Sequence, residues 1–269
     1  MTHFDASLAA LAAALPDGSR VAIPPDYSGV AMAATRALVA RGARDLRLIA
    51  VPQAGFQADI LIGAGCVGAI ETAGVNLGEY GLAPRYTEAI ERGALHILDA
   101  TCPAVHAGLQ AAEKGIPFMP LRGILGSDLL RVRSDWRVID NPYGSEDPIV
   151  LVPAIRPDVA LFHARWADTR GNVWIGVRRE LMTMAHAAAQ SFVTVEAIRE
   201  DSLLEDPALA AGTISSLYIE RVCLAPGGMR PLPFGADRGD DAALAAYARA
   251  ARTQAGFDAW LAAWLAAAA

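Results

Sequence analysis

In the stretch DATCPAVHAGLQAAEKGIPFMP, residues 99–120, a cysteine stands directly before a proline and four residues ahead of a histidine. Proline is favoured at the first position of a helix, so the spacing predicts a helix over 103–114, closed by Gly115, with Cys102 as its N-cap. The positive end of a helix lowers a thiol's pKa, and His106 follows one turn on, placed to serve as its base. The same types also read as a packed stripe of Cys102, Val105 and Leu109 with His106 at its edge. Residue types alone leave both readings open.

Three other segments carry residues able to do chemistry. GAGCVGAIETAGVNLGEYGLAPRY, residues 63–86, has Glu71 and Glu79 as its acids among glycines. A carboxylate in such a loop serves as general base or nucleophile, or as a solvated anchor for nearby amides. HARWADTRGN, residues 163–172, offers His163 and Asp168 as a candidate pair. An aspartate bonded to the amides of a tight turn explains Asp168, Gly171 and Asn172 equally well. Pro24-Pro25-Asp26-Tyr27-Ser28-Gly29 stands where a phosphate loop would, yet its two prolines remove N–H donors and it lacks the GxGxxG pattern. It reads as a rigid strand-to-helix turn, and a dinucleotide site is not expected.

These segments sit between alternating short β-rich runs and helical patterns. Strands are expected over 20–23, 45–51, 66–72, 95–98, 149–152, 159–164 and 192–195. Helices are expected over 6–15, 30–41, 57–63, 86–92, 103–114 and 180–190. Strands separated by helical crossovers make a mostly parallel sheet covered on both faces, so the fold class is α/β, one open Rossmann-like sheet flanked by helices. Sites in such sheets lie at strand C-terminal ends, which picks out residues 24–29, 51–56, 74–84 and 99–103.

Composition bounds the rest. The chain has 269 residues, three widely spaced cysteines and a net charge of −6. That size buries a sufficient core without disulfides, and no CxxC or HExxH suggests a metal. Acids outnumber Lys plus Arg by 29 to 23, against a nucleic-acid footprint. The apolar segment 6–15 lacks a basic flank, and the apolar tail 259–269 is about half a bilayer span, with Trp260, Leu261 and Trp264 at helical spacing. The expectation is a cytoplasmic protein of one domain, 1–269, with a helical tail over about 240–269, and no membrane partner.

DILIGAGCVGAIETAGVNLGEYGLAPRY, GLQAAEKGIPFMPLRGILGSDLL, PDVALFHARWADTRGNV and VTVEAI, in that order, resemble the A chain of family I CoA transferases from about residue 17 to 226. The resemblance implies an A/B heteromer, commonly A2B2, that moves CoA between an acyl-CoA and a carboxylic acid. CoA is a substrate there, and no cofactor is permanently bound. The covalent glutamate of that family belongs to the B half, in an S-E-N-G or E-x-G loop. The matching loop here, Val51-Pro52-Gln53-Ala54-Gly55, has no acid.

By the same resemblance Cys102 falls where 3-oxoacid CoA transferases carry an oxyanion-side glutamine and steroid-ring-cleaving CoA hydrolases a glutamate. A thiol replaces neither. Glu79 and Gly78 match a G-E segment near the substrate, and Tyr27, Gln53 and Thr101 lie on neighbouring substrate-side loops. The Pro-Pro-Asp-Tyr turn departs from the Gly-Gly-Phe-Gly of the 3-oxoacid enzymes. Two alternatives stand beside this reading: a subunit of an acyl-CoA hydrolase or C–C cleaving enzyme on the same scaffold, and a non-catalytic acyl-CoA-binding subunit.

Overall fold

The computed structural model describes residues 2–267. In chain order the elements begin β1 (His3–Asp5), α1 (Leu8–Ala13), β2 (Arg20–Ile23), α2 (Met32–Arg41), β3 (Leu46–Ala50), α3 (Phe56–Gly63), β4 (Val67–Thr72), α4 (Pro84–Glu91), β5 (His96–Asp99) and α5 (Cys102–Glu113). There follow β6 (Phe118–Leu121), α6 (Leu129–Val132), β7 (Arg137–Asp140), β8 (Pro148–Pro153), β9 (Val159–Asp168), β10 (Val173–Trp174), α7 (Arg179–Ala187) and β11 (Gln190–Arg199). The chain ends with β12 (Thr213–Ile214), β13 (Arg221–Leu224), α8 (Asp241–Ala250) and α9 (Gln254–Ala266).

The main sheet runs β1-β13-β11-β9-β2-β3-β4-β5 with every neighbouring pair parallel. Alternation along its strands explains why both faces are covered. Val21 and Ile23 join a core with Leu46, Leu48 and Ile70 on one face, while Ala22 joins Ile49, Phe162 and Val193 on the other. Residues of α2, α3, α8 and α9 pack into the first core, and those of α5 and α7 into the second. Truncating a fully buried residue such as Leu48 would cost about 2–5 kcal/mol.

The open, mostly parallel sheet is the one expected from the sequence, and its first five helices overlap the expected segments. Three points differ. The strand expected at 149–152 lies in a separate antiparallel sheet of order β6-β8-β7. Pro120 lies on the edge strand β6, while Pro148 and Pro153 are the first and last residues of the central strand β8, where they interrupt no interior ladder bond. The strand at 159–164 continues to Asp168 and turns back through β10. The N-cap of α5 is Thr101, not Cys102: the threonine Oγ1 accepts from the Ala104 N–H at 3.2 Å, a bond for which a thiol is a poorer acceptor. The tail expected over about 240–269 forms α8 and α9, except that 268 and 269 lie outside the described residues.

Candidate active site

The chain lays down β2, β3, β4 and β5 in one direction, then returns past β2 to place β9, β11 and β13 on the other side. The reversal between β2 and β9 opens a crevice where their connections diverge, the usual ligand position in open α/β sheets. Residues 24–29 fill its rim. Gly29, at φ +79°, accepts from the His163 N–H at 2.6 Å, and a Cβ there would run into the His163 carbonyl.

Beside this crevice lies a cleft of about 270 Å³. It is built by the connections after β2, β3 and β4 and closed by residues 232–233 and α8. Tyr27, Gln53, Gly78 and Glu79 all line it. Tyr27 is 55% exposed, and the Arg178 guanidinium stacks 5.4 Å from its ring centroid. Gly78, at φ +62°, donates its N–H to Asn76 Oδ1 at 3.0 Å, which shapes the turn that presents Glu79 to solvent. Phe56, Leu77, Leu232 and Leu244 supply apolar walls, and the Tyr80 hydroxyl donates to Asp241 at 3.2 Å. Among the described residues, no cysteine, serine, lysine or histidine lines the cleft.

Asp26 also lines the cleft, although by sequence it is only part of a turn. Its Oδ2 accepts from the Phe56 N–H at the start of α3 at 3.1 Å, and its Oδ1 is buried without a partner among the described residues. Gly55 makes this approach possible, since a Cβ there would collide with the Asp26 carboxyl and the Asn76 carbonyl. Burial raises the Asp26 pKa to about 7, a rise to which the nearby Asp59 charge adds. Asp59 is itself pushed up to about 6 by burial, against hydrogen bonds from the Tyr247 hydroxyl at 2.6 Å and the Tyr86 N–H at 2.8 Å. The signal available in the sequence is an acid that follows a strand and precedes a helix. What it meets comes only with the fold.

Thr101 and Cys102 lie on the next connection, after β5, outside the lining of the cleft. Cys102 is exposed at the first position of α5, where backbone N–H groups lack intrahelical partners. His106 is half-buried, and burial lowers its pKa against the pull of Glu180. Among the described residues it makes no hydrogen bond to Cys102, so the structure does not assemble a thiol–imidazole pair.

The other candidates have structural partners. Asp168 is fully buried and accepts from the N–H groups of Arg170, Asn172 and Leu203, each at 3.0 Å, and from the Asn172 side chain at 2.7 Å. It is the turn anchor of the two readings. His163 instead pairs with Glu196 through Nε2 at 2.7 Å and with Thr194 through Nδ1 at 2.8 Å. Glu71 faces the buried Arg133 at 2.8 Å on the sheet surface, and burial raises its pKa against the pull of Arg133.

Fold and cleft together define an α/β chain with a candidate ligand cleft at the strand C-terminal ends. No protein-family model matches the chain. It is 33% identical to the A chain of the 3-oxoadipate CoA-transferase of Pseudomonas knackmussii, over 91% of this chain and 87% of that one. The solved glutaconate coenzyme A-transferase of Acidaminococcus fermentans superposes with a TM-score of 0.87 at 26% identity, over 97% of this chain and 88% of that one. A solved variant of the decarboxylase AibA/AibB superposes at 0.86 with 30% identity, over 99% of this chain and 100% of that one. The chain belongs to the family of CoA-transferase A chains, and it is an enzyme subunit of that class.

Proposed function

We propose that this chain pairs with a B chain in a heteromer and transfers CoA between an acyl-CoA and a carboxylic acid, with the nucleophilic glutamate on the partner. The observation that carries this reading is Gln53. On the connection after β3, where the family's B half carries its glutamate, this chain presents an amide to the cleft. The partner's carboxylate attacks the thioester carbonyl and expels the CoA thiolate, leaving a mixed anhydride. The thiolate then attacks the glutamyl carbonyl, which frees the first acid and leaves a glutamyl-CoA thioester. The acceptor carboxylate reverses these two steps and leaves as the new acyl-CoA.

This chain's part is to bind and polarise. Tyr27, Gln53, Gly78 and Glu79 hold the acyl side, while Thr101 caps α5 so that the Cys102 N–H is held toward the shared site. One well-placed donor to a developing oxyanion contributes about 3 kcal/mol. The chain acts as one unit over 1–269, in an A2B2 assembly, in the cytoplasm. Purified alone, it is expected to show no CoA transfer between acyl-CoA and carboxylate, with activity appearing on addition of the B chain. Transfer by the lone chain would overturn the assignment.

A second reading, a C–C bond-cleaving subunit, is favoured by one feature of the cleft. Asp26, protonated below about pH 7, is an acid able to donate a proton to a carbanion left by bond cleavage. Product formation by the complex without any acceptor acid separates this reading from transfer.

A further inference from the structure

We propose that the cleft selects an acyl chain with an uncharged end and rejects one that ends in a second carboxylate. This rests on reading the cleft as the acyl site. Strong recognition of a terminal carboxylate takes a convergent cation, best a bidentate guanidinium, because only a cation offsets the carboxylate's charge as well as bonding it. Among the described residues no lysine or arginine lines the cleft, whose titratable acids are Asp26, Glu79 and Asp241, the last two exposed enough to carry their charge.

The Phe56 N–H is engaged by Asp26 and the Gly78 N–H by Asn76, and the side-chain amides of Gln53 and Asn76 that line the cleft are neutral and bring no positive charge. The guanidinium at the rim, Arg178, is stacked on Tyr27 and faces Glu180 at 4.0 Å. Phe56, Leu77, Leu232 and Leu244 offer contact to methylene groups instead. A second carboxylate about 5 Å from one like charge, at an effective dielectric near 20, is disfavoured on the order of 100-fold before screening. Two of the relatives are named for dicarboxylates, 3-oxoadipate and glutaconate, so this chain would differ from them in the acyl group it takes.

Valeryl-CoA and glutaryl-CoA have the same chain length and differ in the terminal carboxylate. The experiment measures kcat/KM for transfer of CoA from each to acetate by the complex of this chain with its B partner. Dissociation constants for both esters are measured separately by calorimetry. Valeryl-CoA is expected to be preferred about 10–100-fold in both measurements. Glu79→Gln and Asp241→Asn should each shrink that ratio about 3–10-fold, because each removes one repelling charge.

Equal or better use of glutaryl-CoA, or a ratio unmoved by both variants, overturns the inference. A complex that binds the esters but transfers neither overturns the transferase reading, and the binding ratio still decides selectivity. A complex that binds neither ester overturns both.

Discussion

Asp26 and Asp59 keep their protons up to about pH 7 and 6, because folding removes both from water and sets the Asp59 charge near Asp26. An unfolded aspartate titrates near 3.9, so the native state binds more protons than the unfolded chain from about pH 4 up to 6 and 7. The contribution of this pair is therefore greatest at acid pH, falls as pH rises through 6 and 7, and is flat above. His106 and His163, whose pKa values burial lowers, act in the opposite direction at mildly acid pH. Comparison with Asp26→Asn isolates the acid. The variant should gain about 1–2 kcal/mol on the native protein at pH 8 and lose that advantage at pH 5.5, measured by urea denaturation. A difference independent of pH would mean that Asp26 is ionised in the fold. Cys102 illustrates the opposite limit. Its place before Pro103 at a helix start is legible in the sequence, but the capping role belongs to Thr101 and the cysteine is simply exposed. Burial and partners, which decide chemistry, are not functions of residue type.

At the scale of elements, the segment between β13 and α8 shows how distant strands position a cleft wall. Glu196, in β11, accepts from His163 Nε2 with one oxygen and from the Gly227 N–H at 2.8 Å with the other. The Ala33 N–H, near the start of α2, donates to the Gly228 carbonyl at 2.8 Å, and Leu232 and Pro233 then reach the cleft. A neutral imidazole that donates from Nε2 accepts at Nδ1 from the Thr194 hydroxyl, which leaves the buried ring satisfied. Glu196→Ala strands the ring and the Gly227 amide, and should cost about 2–4 kcal/mol in stability. Its KM for acyl-CoA should also rise more than its kcat falls, because the wall loses its tether. Glu196→Gln can accept from Gly227 and donate to the other tautomer of His163, and should stay within about 1 kcal/mol of the native protein. Equal losses in the two variants would argue against this tether. The VTVE and HARWADTRGN segments are both visible in the sequence, but residue types alone leave open whether His163 pairs with Asp168 or Asp168 anchors a turn. The two sit on one strand and their side chains have separate partners, and only the pairing of β9 with β11 sets His163 beside Glu196.

For the whole molecule, the cleft lies at the C-terminal ends of β2, β3 and β4, and Tyr27 in its lining is more than half exposed. An A chain whose cleft is completed by a partner is expected to self-associate when isolated and to form a discrete larger species with its B chain. Light scattering of the separate and mixed chains tests this, and a stable monomer that ignores the B chain would contradict the heteromer. Periodicity and crossover length, which are local properties, are enough to derive the open parallel sheet, most of its helices and the four connections at its C-terminal edge. Of the small antiparallel sheet only the strand at 149–152 is legible; β6 and β7 are four residues each, β6 is interrupted by Pro120, and neither has a clear period. Tertiary structure alone decides which connections close into one cleft, that Asp26 joins it while Thr101 and Cys102 stay outside, and that Asp168 anchors a turn. Those outcomes depend on which strands become neighbours across the sheet, and neighbours far apart in sequence leave no local pattern in either partner.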